Sequence, residues 1–353
     1  MALSFQSLQS KKRSQVIAID LGQRNSKAVY VQRHGSGFEM LQYVVQESPI
    51  HEKNSSAAVV ADHLKNISQA LNAKTKSVVL MIGVNDALLR LIEVPMLPVS
   101  DLRLMLKYNS KNYLQQDLAD YVFDCFILPP RVGGNTPEPA KNQKCRALVG
   151  GAKKQLLDKL QDGAREAGLV TDQITLDSIG TANAFELAQP EIFSKEIVAL
   201  VDIGFKHSTI NILLNGELTL SRVVGIGGDK LTSGLAEALG VSYSEAEQRK
   251  LAQTEETQPL LSALLMPLGR ELRASIDFFE KQEDKTVGQV FFSGSSARST
   301  FLVESLQSEL MVQCQRWNPT SFFKLALPPA QMGEIEQTAP LLAVASGGAV
   351  AAF

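Results

Sequence analysis

Two stretches of the chain share one pattern of hydrophobic and polar positions. In "VIAIDLGQRNSKAVYV", residues 16–31, an apolar run ends at Asp20, short polar side chains follow, and the chain becomes apolar again. In "IVALVDIGFKHSTINI", residues 197–212, the same order surrounds Asp202. Each pattern predicts two buried strands joined by a polar turn that begins with Asp-x-Gly.

The similarity continues beyond each turn. The first copy extends through a strand to about Gln32, a turn at "RHGSG" and a strand "FEMLQYVV". The second extends through a strand to Leu214, a turn at Asn215-Gly216 that is typical of hairpins, and a strand "ELTLSRVV". Two three-stranded meanders about 180 residues apart indicate a duplicated domain rather than an array of short repeats.

The segment between the copies predicts an inserted β/α unit of about 80 residues. A helix begins near Ser100 as its N-cap in "SDLRLMLKYNSKNYLQQ", and strands follow in "YVFDCFIL" and "CRALVGGA". The turn-rich "PPRVGGNTPEPAKNQK" between these strands is predicted to be a polar loop. "KKQLLDKLQDGAREAG" predicts a helix that ends at Gly168.

The second half predicts an insertion that is mainly helical. "IGGDKLTSGLAEALG" opens with paired glycines and ends at Gly240, and Ser244 with Glu247 fits a capping box. A long helix follows, with a start or kink at Pro267. Strand "QVFFSG", turn "SSAR" and helix "STFLVESLQSEL" come next, and the small residues of "PLLAVASGGAVAAF" favour a closely packed C-terminal helix.

Composition excludes several classes of protein. The 353 residues are 44% hydrophobic and 20% charged, which is enough apolar surface for folded cores. A net charge of −2 argues against non-specific nucleic-acid binding. Three widely spaced cysteines fit neither a zinc site nor a disulfide framework, so we expect a reducing compartment.

The ends of the chain predict a soluble cytoplasmic protein without a transmembrane segment. "MALSFQSLQSKKRSQ" has its basic cluster after its apolar part, the reverse of a signal peptide. The segment "LSFQSLQSKKR" within it is either a frayed terminus or a contact with an acidic membrane surface. The C-terminal apolar tract is shorter than the roughly 20 residues of a membrane-spanning helix.

Paired Asp-x-Gly turns suit phosphate binding. Glycine permits a tight turn, and backbone N–H groups and hydroxyls can then face a phosphate. One such turn more often bonds its own backbone, but two facing turns can hold a phosphate from both sides. Asp20 and Asp202 are the candidate Mg²⁺ ligands, acting through water. The other candidate cofactor-binding residues of the turns are Gly22, Gln23, Asn25, Ser26, Lys27, Gly204, Lys206, His207, Ser208 and Thr209.

Two further segments suit a base-and-ribose pocket. Gly227, Gly228 and Lys230 lie where a helix begins with free N–H groups, although a plain helix cap is the alternative. Gly294, Ser295, Ser296 and Arg298 form a small-residue loop that a flat purine could approach, with the same alternative. Glu247 and Lys250 share a helix face, but Glu247 could instead complete the capping box and Lys250 be a solvated charge.

The order of these segments resembles the actin-like ATPase superfamily, which includes actin, hexokinase, DnaK and FtsA. Within it the chain is similar to the PilM family of type IV pilus assembly proteins. The most similar parts are R-x-x-x-I-G-G-D-x-L-T from Arg222 and S-x-x-E-A-E-x-x-K from Ser242. The resemblance also includes "AIDLGQRNSKAVYV", "IEVPMLPVSDLRLMLK", "RALVGGAKKQLLDKLQDGAREAGL" and "FSGSSARSTFLVESLQSEL".

The resemblance implies an α/β fold with a duplicated actin-like (ribonuclease H-like) core. This core would consist of two mixed-sheet domains, each with a smaller inserted subdomain. The first core would comprise residues 1–83, 166–195 and 336–353, with the family's small β/α subdomain at 84–165. The second would comprise 196–227 and 286–335, with a mainly helical insertion at 228–285.

The resemblance also implies ATP and Mg²⁺ as cofactors, with hydrolysis weak or absent. The expected partner is the cytoplasmic tail of a PilN-like inner-membrane pilus protein, bound near the early insertion and the first core. Other pilus platform proteins and self-association are further expectations. The chain would then be cytoplasmic and peripheral to the inner membrane through its partners.

Two departures from the family pattern bear on nucleotide binding. Phe205, Lys206 and His207 stand where small residues are usual, so Phe205 either crowds the phosphates or points into the core. Lys206 either neutralises phosphate or faces solvent. Gly294-Ser295-Ser296 replaces a glycine triplet, and its Cβ atoms could narrow the base slot. No side chain in these motifs is assigned as a general base for hydrolysis.

Three alternatives remain at this stage. A degenerate actin-like scaffold with no nucleotide is one, because of Phe205 and the serine-rich loop. A type II secretion relative of the same fold is another. A small-molecule kinase is the third, although we find no substrate-binding aspartate outside the two turns.

Overall fold

The computed structural model of the chain describes residues 13–50, 55–83, 87–130 and 144–353. The strands are β1 (Gln15–Asp20), β2 (Asn25–His34), β3 (Gly37–Glu47), β4 (Ser77–Ile82), β5 (Ala87–Pro95), β6 (Tyr121–Ile127), β7 (Lys144–Lys153), β8 (Val170–Leu176), β9 (Ile197–Ile203), β10 (Ser208–Leu214), β11 (Glu217–Val224), β12 (Gln289–Ser293), β13 (Gln313–Arg316) and β14 (Phe323–Leu325). The helices are α1 (Ala57–Ala70), α2 (Val99–Leu114), α3 (Lys154–Glu166), α4 (Asp177–Ala188), α5 (Pro190–Lys195), α6 (Gly228–Leu239), α7 (Tyr243–Ala252), α8 (Gln258–Glu283), α9 (Thr300–Leu310), α10 (Pro329–Thr338) and α11 (Ala343–Val350).

Within the described residues the strands form three sheets. The first has the order β14-β3-β2-β1-β4-β8, the second β11-β10-β9-β12-β13 and the third β5-β7-β6. In the first two sheets an antiparallel meander, β1–β3 or β9–β11, continues into a parallel strand, β4 or β12. This shared order confirms the duplicated α/β core. The turn at Asn215-Gly216 has both residues at positive φ, 49° and 81°, as a tight hairpin requires.

The apolar runs before the two aspartates reflect burial on both faces of each sheet. In β1, Ile17 and Ile19 pack in one hydrophobic cluster, and Val16 and Ala18 pack in another on the opposite face. Helices cover both faces of a sheet in this kind of fold, so a central strand reads as continuously hydrophobic. The strand pattern therefore comes from the layer architecture and places each aspartate at a strand end.

Two helices rich in small residues, α4 and α11, pack against each other. Gly347 of α11 is so close to Gly180 of α4 that an added Cβ would overlap the Gly180 carbonyl oxygen. At its other end α4 carries Phe185, whose ring packs edge-on against Phe291 of the second sheet, with centroids 4.7 Å apart. The predicted C-terminal helix thus forms and packs closely, and α4 contacts both halves.

The structure shifts two of the predicted domain boundaries. Helix α3 was placed in the insertion at 84–165, but its Leu160 and Ala164 pack in the core of the first sheet. Strand β14 was placed in the second core, but it pairs in parallel with β3 of the first sheet. The unit with its own core is smaller and consists of α2 and the third sheet, around Leu102, Leu106 and Val149.

Two local predictions about helix ends are wrong, and a third is narrowed to one alternative. The N-cap of α2 is Pro98, and Ser100 lies inside the helix. The N-cap of α7 is Ser242, whose hydroxyl accepts the N–H of Glu245, so Ser244 and Glu247 form no capping box. Pro267 does not start α8, which begins at Gln258 and extends across the proline, so a kink is the alternative that stays a prediction. Gly168 and Gly240 do end their helices, both at positive φ.

Two other predictions fall on residues outside the described ranges. These are the N-terminal segment, of which residues 3–12 are not described, and the polar loop, of which residues 131–143 are not described. Along the part of the chain that the structure describes, every helix is too short or too polar to cross a membrane.

Candidate functional site

A cleft of about 490 Å³ lies between the first and second sheets, at the ends of their central strands. Strands β1, β4 and β8 are parallel, so their carboxyl ends meet at one edge, where Asp20 ends β1 and Asp177 follows β8. Strands β9 and β12 do the same in the second half, with Asp202 near the end of β9 and Gly294 after β12. The topology therefore brings three carboxylates from three separate segments into one cleft.

Most of the predicted site residues line this cleft. They are Asp20, Gly22, Gln23, Asn25, Lys27, Asp202, Gly204, His207, Thr209, Gly228, Glu247, Lys250, Gly294, Ser295 and Arg298.

Two serines that were predicted to bind phosphate through their hydroxyls point into the core behind the turns. Ser26 is fully buried, with its Oγ 2.9 Å from Nε2 of His63 on α1. Ser208 is also fully buried, and its hydroxyl donates to the carbonyl oxygen of Ile226 at 2.6 Å. Both are inner residues of strands that begin at the turn, so the alternation of the strand directs their side chains into the core.

Four other predicted residues also lie outside the cleft lining. Lys206 and Lys230 are exposed to solvent and do not line the cleft. Gly227 and Ser296 are buried beside the cleft. An added Cβ at Gly227 would overlap the carbonyl oxygen of Phe205, so glycine is required where α6 approaches the second turn.

The start of α6 is not a free anion site. The N–H of Gly228 donates to the carbonyl oxygen of Gly204 at 2.9 Å, and the N–H of Asp229 donates to that of Phe205 at 2.8 Å. Because the turn after β9 uses these donors, they cannot also face a phosphate. The expectation of free N–H groups here is wrong, and the paired glycines instead lock α6 to the second turn.

Lys27 is the cation at the centre of the site. Its ammonium group lies 2.9 Å from Oδ2 of Asp20. Burial by itself lowers the pKa of Lys27, but the charge and hydrogen bond of Asp20, with the charges of Asp202 and Asp177, raise that pKa above its ordinary value. Lys27 therefore stays protonated and partly neutralises three carboxylates.

Burial disfavours the charged form of Asp202. Its Oδ1 accepts a hydrogen bond from Ser293 at 2.9 Å. Burial raises the pKa of Asp202 above its ordinary value and the charge of Asp20 adds to this, although Lys27 and the Ser293 hydroxyl act in the opposite direction. A counter-cation in the cleft would therefore relieve an uncompensated negative charge at this position.

We expect Asp202→Asn to raise the free energy of unfolding at neutral pH, because it removes a carboxylate that folding disfavours. From the ordinary pKa of 3.8 up to the raised folded value, the folded chain binds more protons than the unfolded chain, so wild-type stability falls as pH rises. The gain of the variant should grow across this window and then stay constant. Urea unfolding at several pH values measures it.

The control for this prediction is Asp62→Asn on the exposed side of α1, which removes the same charge without relieving a buried one. A lower stability for Asp202→Asn than for wild type at neutral pH, or a difference that does not vary with pH, would contradict the assignment of Asp202 as an uncompensated carboxylate.

Glu247 and Lys250 form a connected pair under the start of α6. The Lys250 ammonium donates to Oε2 of Glu247 at 2.8 Å and to the Thr232 hydroxyl at 2.7 Å. Burial lowers the pKa of Lys250 below its ordinary value, against the effect of Glu247. Burial acts to raise the pKa of Glu247, but hydrogen bonds from Lys250 and Thr232 outweigh it, so that pKa is lowered. The two residues are neither a helix cap nor a solvated charge; they are a partly buried ion pair on the cleft wall.

The small-residue loop after β12 leaves room beside the cleft. Gly294 has a φ of 92°, and an added Cβ would overlap the carbonyl oxygen of Ile203, so only glycine fits. Ser293 and Ser296 are buried, and Ser295 is exposed at the cleft. Ser295 and Ser296 also line a second cavity that adjoins the cleft, so both serines border the space beside it.

The sequence prediction missed three charged residues that line the cleft. Arg24 lies within the first turn, Glu47 ends β3, and Asp177 begins α4. Asp177 could have been found from its position, because it follows a buried parallel strand in the same way as Asp20 follows β1. Arg24 could have been found as the second cation in a turn where Lys27 was already a candidate.

The bulky residues of the second turn contact the first turn across the cleft. Phe205 is half-buried, neither in the core nor free in solvent, and the Arg24 guanidinium lies over its ring at 5.1 Å from the centroid. Nδ1 of His207 lies 3.3 Å from Oε1 of Gln23. The two turns therefore face one another closely enough for side chains to meet.

The side chains of the cleft could bind a magnesium ion only together with water and phosphate oxygens. No group of three or more His, Cys, Asp or Glu side chains that could hold a metal occurs among the described residues. Mg²⁺ typically takes one or two carboxylates and completes its shell with water and phosphate oxygens. Asp20 and Asp202 would supply the first part of such a shell, and a bound polyphosphate the second.

A family model described as type IV pilus assembly protein PilM matches residues 18–353. The chain belongs to the PilM family. A structure described as a PilM–PilN type IV pilus biogenesis complex aligns over 96% of this chain and 98% of its own, with a TM-score of 0.81 at 20% identity. The PilM family match covers both halves of the cleft and the early insertion.

Two more distant similarities agree with this placement. The cell division protein FtsA of Bacillus subtilis (strain 168) is 31% identical over 141 residues, which is 38% of this chain and 31% of FtsA, so the match spans under a third of that protein's length. MreB5 of Spiroplasma citri bound to ADP aligns over 96% of each chain, with a TM-score of 0.54 at 10% identity. Together with the PilM family model, these comparisons establish the actin-like ATPase fold.

Proposed function

We propose that the cleft binds ATP with Mg²⁺ and that this PilM family member is a nucleotide-dependent assembly protein of the type IV pilus platform. The observation that carries the proposal is the pair of Asp-x-Gly turns facing each other, with protonated Lys27 between their carboxylates. A cationic side chain and two tight glycine turns suit a polyphosphate. Two carboxylates on opposite walls suit the metal that accompanies it.

Different residues of the cleft would contact different parts of the nucleotide. Lys27 and the backbone of both turns would hold the phosphates, and Asp20 and Asp202 would orient Mg²⁺ through water. A second cavity of about 670 Å³ continues from the cleft and shares Lys250, Ser295 and Arg298 with it. This cavity is the proposed place for the base and ribose, and Ser295 and Ser296 are part of its wall.

We expect saturating ATP with Mg²⁺ to stabilise the wild-type chain. At a hundred times the dissociation constant, a ligand specific for the folded state adds about 2.7 kcal/mol to the free energy of unfolding. A thermal shift measured with MgATP, with magnesium alone as the control, tests this. The same melting temperature with and without millimolar MgATP would favour the nucleotide-free scaffold.

The proposed partner is the short cytoplasmic tail of a PilN-like inner-membrane protein. Support comes from family membership and from the similarity to a structure of a PilM–PilN complex. Within the described residues, β6 is an edge of the third sheet and could accept an extended peptide as an added strand. The early insertion also exposes large apolar side chains, namely Met96, Leu104, Tyr108, Val122 and Phe126.

Nucleotide and tail would be coupled through the position of the two halves. The cleft lies between them, so ATP that contacts both turns would favour a closed arrangement. The tail would bind near the early insertion and the first core, and its affinity would then depend on that arrangement. The chain would be held at the inner membrane through this partner.

A further inference from the structure

Two side-chain contacts join the turn after β1 to the turn after β9. The Arg24 guanidinium lies 5.1 Å from the centroid of the Phe205 ring, and Oε1 of Gln23 lies 3.3 Å from Nδ1 of His207. Arg24 and Gln23 belong to the first half of the chain, and their partners belong to the second. The contacts therefore connect the halves at the cleft, where ligand phosphates would lie.

Arg24 is positioned to exchange one partner for another. It is exposed and lines the cleft together with Lys27, and its charge reaches Glu247 and Lys250 on the opposite wall. Because Arg24 is exposed and the Phe205 ring is only half-buried, this cation–π contact is weak. A phosphate accepts charge-assisted hydrogen bonds from a guanidinium, often two at once, and these are the stronger interaction. A polyphosphate entering the cleft can therefore remove Arg24 from the ring.

We propose that Arg24 and Phe205 form a latch between the two halves, and that Arg24 leaves the ring to bind the phosphates of an incoming nucleoside triphosphate. Its phosphate step rests on the proposed function of the cleft. The bulky Phe205 is unusual in such a turn. Its role is then to keep Arg24 in place while no nucleotide is bound. Contacts of the nucleotide with both halves then replace the side-chain contact between Arg24 and Phe205.

The two partners of the latch should change ATP affinity in opposite directions. Phe205→Leu keeps an apolar side chain but no aromatic face, so Arg24 is released and ATP affinity should rise about threefold. Arg24→Gln removes a phosphate ligand, so ATP affinity should fall at least about tenfold. Adenosine has no phosphate, and its affinity should not change in either variant. A structural role alone would not separate the two variants in this way.

Two further substitutions are matched controls for the affinity measurement. Phe205→Tyr keeps the ring and should bind ATP like wild type. Lys206→Gln changes the charge of the neighbouring exposed residue and should also bind ATP like wild type. Titration calorimetry with ATP and with adenosine gives all the values. A change of ATP affinity in the same direction for Phe205→Leu and Arg24→Gln would overturn the proposal.

A second measurement tests the latch without any nucleotide. Spin labels on exposed Lys65 of α1 and Glu237 of α6, in a chain whose three cysteines are replaced, report the distance between the halves. Phe205→Leu and Arg24→Gln should each broaden the distance distribution, and the double variant should broaden it no further. An unchanged distribution in both single variants would overturn the latch.

The two measurements separate failure of the latch from failure of the proposed function. If wild type binds no ATP, the proposed function and the phosphate step fail together. Broadening in the variants would still support the latch between the halves. If wild type binds ATP and the variants do not broaden the distribution, the latch fails while the proposed function stands.

Discussion

Gly347→Ala is expected to lower the free energy of unfolding by about 3 kcal/mol, at the upper end of the usual effect of overpacking. The new methyl group would overlap the carbonyl oxygen of Gly180 and would lie 2.8 Å from the backbone nitrogen of Ala184. Both obstacles are backbone atoms of α4, so no side-chain rotation can relieve the clash. Helix α11 would have to move away from α4. Urea unfolding followed by far-ultraviolet circular dichroism measures the loss.

Gly333→Ala is the matched control for this substitution. Gly333 is also a helical glycine, on α10, but it is exposed and an added Cβ would meet no atom within 4 Å. Alanine suits a helix better than glycine, so this variant should gain about 0.5 kcal/mol or remain neutral. Equal effects of the two substitutions would show that α4 and α11 are not packed as closely as described.

Lys27→Ala is expected to reduce ATP affinity at least about 100-fold, which corresponds to about 2.7 kcal/mol. The substitution removes the ammonium that lies between Asp20 and the other cleft carboxylates, and the phosphates would then face uncompensated negative charge. The loss should be large for ATP and small for adenosine, because only the phosphates lie near this side chain. Titration calorimetry with both ligands measures it.

Lys206→Ala is the control, since it removes the same charge from the other turn at an exposed position outside the cleft. It should bind ATP within about twofold of wild type. Circular dichroism of Lys27→Ala checks that Asp20, left without its partner, does not prevent folding. A similar loss for ATP and adenosine, or an equal loss in Lys206→Ala, would argue against phosphate contact at Lys27.

The hydrophobic pattern predicts the duplicated core because burial on both faces of a sheet leaves long apolar runs. The runs before Asp20 and Asp202 are of this kind, and both become central strands that end at the cleft. The pattern could not place β14, a strand of three residues whose partner, β3, is far away in the sequence. It also could not assign α3, because an amphipathic helix does not reveal which of two neighbouring sheets it covers.

The site was predicted best where backbone geometry dictates the residue. The glycines of both turns lie where the prediction places them, because tight turns leave little choice of residue. The sequence predicts that the hydroxyls of Ser26 and Ser208 face a phosphate. They are buried in the core instead, because side chains alternate between the two faces of a strand. The free N–H groups expected at Gly228 were already bonded to the second turn, and that contact depends on tertiary structure alone.

Arg24 and Phe205 illustrate what a sequence cannot show. They are 181 positions apart, and neither pattern by itself predicts that a guanidinium and a ring would meet across the cleft. The sequence raised the question whether Phe205 crowds the phosphates or enters the core, and the structure excludes the core and shows the ring at the cleft beside Arg24. Long-range contacts of this type decide how two predicted halves face each other.

The central claim, that nucleotide in the cleft controls partner binding, is tested most directly by titrating a PilN-like tail peptide into the wild-type chain with and without saturating MgATP. We predict that the dissociation constant of the peptide changes at least about fivefold, and that the peptide changes ATP affinity by the same factor, as linkage requires. The same dissociation constant in both conditions, with MgATP bound, would contradict the claim.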